Sequence, residues 1–272
     1  MQRVLLKISG ESLTSDGYRG LKRGPVEAII REVGSVLGSW QVALVLGGGN
    51  IYRGSHLMRD LDLDFEDRIE ADWAGMLATH INGIMLKCLM MKAGIEARLM
   101  LAKPYGDVGE PFYKDVADSH LNKGRVVILV GGTGSPRFTT DTGAVLRACE
   151  VRASLVLKGT KVDGIYTVDP KNPPPGVTPE RIPYMSYDDF VLAKPGILDV
   201  NAGELARDNN LSIRIFDIFA QGALSEVLQG NEDRYSEIGP VARKRVVACG
   251  PHEPAGLTDE EIGEMLGDAF EL

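Results

Sequence analysis

Short runs of β-branched and leucine-rich residues recur along the chain, at Val4–Ile8, Val42–Leu46, Glu96–Leu101, Val126–Val130, Leu155–Leu157 and Ile213–Ile218. They are largely continuous in their apolar character rather than alternating, the pattern of strands buried on both faces. Helical spacing fills the stretches between them. Pro25, behind Gly24, opens a helix that reaches about Leu37, since a first-turn proline gives up only an amide with no partner there. Asp72 to about Lys92 is the clearest helix. Trp73, Leu77, Ile81, Ile84 and Cys88 fall at steps of three and four, and Met76, Met85, Leu89 and Met90 carry the apolar surface almost round it. A helix this apolar is covered on two sides; one is the sheet, and the other is open to a partner subunit. Strands alternating with helices predict an α/β fold, a three-layer α/β/α sandwich with a mostly parallel central sheet.

Val168–Pro183, containing Asn172-Pro173-Pro174-Pro175-Gly176, cannot occupy a central strand or a helix and reads as a loop. Beyond the basic Ala242-Arg243-Lys244-Arg245, seven acids and no Lys or Arg follow from Pro251 onwards. Thr258-Asp259-Glu260-Glu261 reads as a capping box before a short amphipathic helix with Ile262, Met265, Leu266 and Phe270. The expected division is a domain over residues 1–238 and an extension over 239–272, either a loose appendage or a docking element.

Composition removes several classes of function. The 272 residues carry a net charge of −8, which argues against general binding to nucleic acid or to an anionic membrane. A polyanion would have to be held locally, by backbone amides and a few placed cations. Cys88, Cys149 and Cys249 are far apart and fit no zinc spacing. With no apolar run near the length of a membrane span, the expectation is a cytoplasmic protein in a reducing compartment.

Four apolar strands run directly into small residues: Ile8-Ser9-Gly10, Leu46-Gly47-Gly48-Gly49, Val130-Gly131-Gly132-Thr133-Gly134 and Leu157-Lys158-Gly159-Thr160. In an open parallel sheet the carboxyl ends of the strands share one edge, where ligands bind. Four such ends would make a long crevice lined by N–H groups suited to phosphate oxygens. No P-loop, dinucleotide fingerprint, nucleophile elbow or zinc-protease motif accounts for them. The four histidines are scattered, and His80, on the long helix, reads as a packed residue. Chemistry that positions groups and neutralises charge without a histidine base fits phosphoryl transfer. Lys7, late in an apolar strand, puts a cation beside those amides. Arg53 can swing over the same crevice. Thr139-Thr140-Asp141 opens a helix running to about Val151, either as an anion site or simply as its cap.

The segments LLKISGESL, VLGGGNIYRG, ADWAGMLAT, GGTGSPRFTTDT, LKGTKVDGIYTVDP and LARDNNLSIRIFDI occur in this order. Through them the chain, over roughly residues 3–230, resembles the bacterial-type UMP kinases of the amino acid kinase superfamily. The resemblance implies an amino acid kinase-like fold and transfer of the γ-phosphoryl group of ATP to UMP. The products would be UDP and ADP, in pyrimidine nucleotide biosynthesis, with Mg²⁺ carried on the ATP phosphates and no protein residue assigned as a metal ligand. It also implies a homohexamer. Carried over position by position, Lys7, Arg53 and Asp141 are catalytic, with Asp141 organising the lysine and the metal-bound phosphates. ATP falls to Lys7, Ile8, Ser9, Gly10, Gly49, Arg53, Thr160, Tyr166 and Asp169. UMP falls to Gly48, Asp72, Thr133, Gly134, Ser135, Pro136, Arg137, Phe138, Thr139 and Thr140.

The chain departs from the family pattern in places. Arg137 stands where an aromatic residue is usual, so that it would add a phosphate contact or alter base selectivity, and Ser135 replaces a common asparagine. Asn201-Ala202-Gly203-Glu204 also differs, and the chain runs about 35 residues past the usual end. Activation by GTP and inhibition by UTP follow from the same resemblance, although Thr14–Arg23, the stretch that bears on the activator, is unlike its counterpart. Two other readings remain open: a kinase of the same fold acting on a carboxylate or carbamate, and a nucleotide-binding regulator that does no chemistry.

Overall fold

In the computed structural model, which describes residues 1–15, 19–52 and 58–240, the apolar runs form the spine of a nine-stranded sheet. In chain order the main strands are β1 (Gln2–Ile8), β2 (Trp40–Leu46), β3 (Ala97–Leu101), β4 (Glu110–Pro111), β5 (Val126–Val130) and β6 (Val156–Thr160). A short hairpin pairs β7 (Ile165–Tyr166) with β8 (Arg181–Ile182), and β9 (Tyr184–Ser186), β10 (Ile213–Asp217) and β11 (Ser236–Gly239) complete the set. The order across the sheet is β4-β3-β5-β2-β1-β6-β10-β11-β9. Every pairing in it is parallel except β10 with β11.

Because side chains alternate across a strand, continuous apolar runs feed two cores. Val4, Leu6, Ile8, Val42, Leu44, Ile128 and Leu157 face a layer made by α1 (Arg23–Val36), α2 (Arg68–Lys92) and α7 (Ala223–Gln229). Leu5, Ala43, Val45, Val127, Leu129, Val156 and Ile215 face the opposite layer. That layer holds α3 (Lys114–Asn122), α4 (Thr140–Glu150), α5 (Tyr187–Ala193) and α6 (Val200–Asp208). Lys7 and Lys158 alternate with the first set, so both point towards α4.

Several boundaries differ from the sequence reading. Helix α2 starts at Arg68 rather than Asp72. Asp64 and Asp67 accept hydrogen bonds from the amides just before it, and Arg68 lies one turn from Asp72, so polar residues extend the helix beyond its apolar stripe. Strand β6 continues through Lys158, Gly159 and Thr160, since backbone pairing with β1 and β10 holds it whatever the side chains. The loop over Val168–Pro183 contains β8 near its end. The expected C-terminal helix lies outside the described residues. His80 is buried, as its place on α2 suggested. Ala78, Leu86 and Met90 turn inward on α2, while Trp73, Leu77, Ile81, Ile84 and Met85 are exposed.

The turns after β1 and β2 meet backbone against backbone. A Cβ at Gly10 would lie 2.5 Å from the Gly49 amide nitrogen and 2.8 Å from that of Asn50, and one at Gly47 would lie 2.7 Å from the Gly10 nitrogen. Neither neighbour can yield by rotating a side chain. Gly10→Ala is therefore expected to cost about 1–3 kcal/mol, in the range of overpacking, and to lower the melting temperature followed by circular dichroism. A melting temperature equal to that of the parent protein would contradict this close approach.

Candidate active site

The four small-residue turns belong to β5, β2, β1 and β6, which are neighbours in that order, so all four lie on one edge of the sheet. The turns are pinned from below. Asn82, a buried polar residue on α2, donates to the Gly47 carbonyl at 2.7 Å and is linked to Asn50, which donates to the Gly20 carbonyl at 2.9 Å. Thr79, also on α2, accepts from the Gly131 amide at 2.7 Å. Gly131, Gly132 and Gly134 all have positive φ, which other residues adopt only with strain.

Lys7 and Lys158 are register partners on adjacent parallel strands, an arrangement that sets two like charges side by side. Asp141, in the first turn of α4, answers both. Its Oδ1 is 2.5 Å from Lys7 Nζ and its Oδ2 is 2.5 Å from Lys158 Nζ. Lys158 also donates to the Ile197 carbonyl. Burial alone would raise the Asp141 carboxyl, but Lys158 and Lys7 overcome that and hold its pKa at about 2. Burial wins at Lys158, whose ammonium is pushed down to about 8 despite the pull of Asp141. Two ammonium groups sharing one carboxylate leave a positive charge that is largely desolvated, a strong attractor for an anion.

Two cavities meet at this cluster. The larger, about 720 Å³, includes Thr160, Tyr166 and Asp169, and the smaller, about 410 Å³, includes Gly48, Asp72, Thr133, Ser135, Phe138 and Thr140. Lys7, Ser9, Glu11 and Asp141 line both. Thr160, Tyr166 and Asp169 thus lie in a different space from Gly48, Asp72, Thr133, Ser135, Phe138 and Thr140, and the two spaces share a wall.

Some expected residues lie elsewhere. Gly10 and Gly49, assigned to ATP, line the smaller cavity, because their turns pack together on that side. Ile8 is buried in the core and contributes its carbonyl, which accepts from the Gly47 amide at 2.8 Å. Gly134, Pro136 and Arg137 are not among the lining residues. Arg137 has φ of 74°, its amide donates to Asp72 Oδ2 at 2.8 Å, and its guanidinium lies 4.5 Å from the centre of the Phe65 ring. Thr139 does line the smaller cavity and also caps α4, accepting from the Asp141 amide at 3.0 Å and donating to Asp199. Asp141 itself is no cap; it turns to the lysines. Arg53 is outside the described residues.

The sequence reading passed over Lys158 and Asp199. A lysine inside an apolar strand had singled out Lys7, and Lys158 carries the same signal. Asp199 accepts from the Thr142 hydroxyl at 2.8 Å and from the Ala202 amide at 2.9 Å, joining the starts of α4 and α6. Its only local sign was an aspartate placed to cap a helix.

Asp141→Asn would leave two buried ammonium groups without their carboxylate. Asp141 holds the Lys158 ammonium up at about 8, so without it Lys158 sheds its proton at a lower pH. The loss of stability relative to the parent protein should therefore be largest well below pH 8, shrink as pH rises towards 8 and be smallest above it. In the parent, the depressed carboxyl stabilises the fold above about pH 4 and this is lost as pH falls towards 2. Thermal melts on both sides of pH 8 test the first statement; a difference that does not change with pH would refute the shared carboxylate.

Comparison with known proteins agrees with this fold. The sequence model of the amino acid kinase family matches residues 2–217. A uridylate kinase from Magnetococcus marinus is 44% identical over 231 residues, 84% of this chain and 92% of that protein. The crystal structure of UMP kinase from Bacillus anthracis superposes with a TM-score of 0.81 at 33% identity, covering 89% of this chain and 97% of the other. That of UMP kinase from Ureaplasma parvum gives 0.79 at 30% identity, over 88% and 98%. With the family match spanning most of the described sheet and its turns, the chain belongs to the amino acid kinase family.

Proposed function

We propose that the chain is a UMP kinase, transferring the γ-phosphoryl group of ATP to UMP to give UDP and ADP. One observation carries the reading: two cavities meet at a wall containing Lys7, Ser9 and Asp141, so two phosphate chains can approach end to end there. The donor is ATP as its magnesium complex, in the larger cavity, with Thr160, Tyr166 and Asp169 beside its nucleoside. The acceptor is UMP, in the smaller one, with Asp72 and the turn at Thr133–Thr140 around it.

A UMP phosphate is already a competent nucleophile at neutral pH, so no base is needed. As its oxygen bonds to the γ-phosphorus, the bond from that phosphorus to the ADP oxygen breaks. Charge on the equatorial oxygens is met by Lys7, Lys158 and the turn amides, groups already in place before reaction. Asp141 keeps the two ammonium groups aimed at one point. Arg53 retains the phosphate role that the family motif assigns it. Pyrimidine nucleotide synthesis in the cytoplasm is the setting that these substrates imply, with GTP and UTP as effectors. Residues 1–238 act as the kinase domain and 239–272 as an extension of it.

The homohexamer is part of the same reading. The exposed stripe of Trp73, Leu77, Ile81, Ile84 and Met85 on α2 supports contact with a second copy.

Release of ADP with UMP, CMP, dUMP, AMP and amino acids as trial acceptors tests the reaction. Turnover is expected with UMP; turnover with an amino acid and none with UMP would overturn the reading, and nucleotide binding without ADP release would point to a regulator. Lys7→Ala should lower kcat by roughly 10²–10³, the usual effect of deleting one preorganised donor, and Lys158→Ala should act in the same direction. Unchanged turnover would remove either lysine from the mechanism. Ile81→Asp should reduce the mass measured by sedimentation; an unchanged mass would take the α2 stripe out of assembly.

A further inference from the structure

Arg147, on α4, is used by nothing described so far, yet its side chain is almost fully buried. A buried guanidinium must be paired or it is costly. Here it lies 4.3 Å from the centre of the Phe112 ring, and Nη1 donates to Glu150 at 2.5 Å. Nη2 is directed between two backbone carbonyls, those of Gly132 and Thr133, at 3.4 Å from each.

Those carbonyls belong to the left-handed glycine turn after β5. The turn lies against α4 at Gly143, where a Cβ would come within 3.0 Å of the Gly132 carbonyl carbon and 3.2 Å of the Thr133 nitrogen. Gly143 and Arg147 are four residues apart and so share a face of the helix. One supplies room for the turn and the other supplies its donor. A trans peptide points its C=O and N–H in opposite directions, so holding the Gly132 carbonyl also sets the direction of the Thr133 N–H. Thr79 fixes the beginning of the same turn through the Gly131 amide. The turn is therefore braced on two sides. Its brace at Arg147 belongs to the helix whose first turn bears Thr140 and Asp141.

We propose that Arg147 is a positioning residue for the acceptor: clamped between Phe112 and Glu150, it holds the Gly132–Thr133 backbone in register with Asp141, so that the acceptor's phosphate meets the lysine pair. This rests on the reading of the smaller cavity as the UMP site. Lysine cannot replace it fully, because an ammonium lacks the planar fork that stacks on a ring while reaching two acceptors.

The test compares steady-state kinetics and melting temperatures of the parent enzyme, Arg147→Met, Arg147→Lys and Phe112→Leu. Arg147→Met should raise KM for UMP by about tenfold or more, as loss of a charged donor does, with KM for ATP unchanged. Arg147→Lys should recover part of that loss, and Phe112→Leu, which leaves the guanidinium but removes its stacking partner, should show a smaller rise in the same constant. If Arg147→Met does not fold, the other two variants carry the test. Lower melting temperatures with KM for UMP unchanged would reduce Arg147 to a structural residue and overturn the inference. Failure of the parent enzyme to phosphorylate UMP would instead overturn the assignment of the acceptor.

Discussion

Two lysines on neighbouring strands, held side by side by the hydrogen-bond register of a parallel sheet, repel each other. The site depends on how that repulsion is met. Asp141 places one carboxylate oxygen on each ammonium, and it can do so only because α4 begins above the tips of β1 and β6. The result is a cluster short by one negative charge. Water cannot screen it well, since all three side chains are largely buried. A phosphate group completes the balance. The fold therefore carries, before any nucleotide arrives, the electrostatic arrangement that a transferring phosphoryl group requires.

The rest of the site follows from how closely the chain can approach this cluster. Small residues at the ends of β1 and β2 let the two turns touch through their backbones, which brings amides up to the lysines. Asn82 and Thr79, buried polar residues of α2, respectively donate to and accept from these turns from beneath. Asp199 joins the starts of α4 and α6 beside them. Asn82 and Thr79 are buried polar groups with partners, and each would be costly without one. Together they make a shell that holds the amides still.

The architecture was legible because the strands are apolar on both faces and the helices are not. That contrast predicts a parallel sheet between two helical layers, and the order of strands then puts four glycine-rich ends together. Lys7 was legible as a cation stranded among apolar residues. Lys158 gave the same sign but sat in a segment read as a glycine turn. The inward direction of Asp141 was legible only through the family resemblance, which has it organising the lysine; local sequence left a Thr-Thr-Asp start to a helix open between an anion site and a cap, and Thr139 is the residue that caps it. Arg137 was expected to add a phosphate contact or to alter base selectivity, and its guanidinium is found over Phe65; the left-handed backbone at that residue leaves little trace in the local sequence. The partners of Asp199 and Arg147 come from distant parts of the chain, and no spacing rule reveals them.

Among the described residues, only Lys7, Ser9, Glu11 and Asp141 line both cavities. The other described lining residues belong to one cavity or the other. If the two cavities take the two substrates as proposed, selectivity for the molecule being modified and for the molecule supplying the group is written in separate parts of the chain. One can be rewritten in evolution, or by design, while the apparatus between them stays as it is.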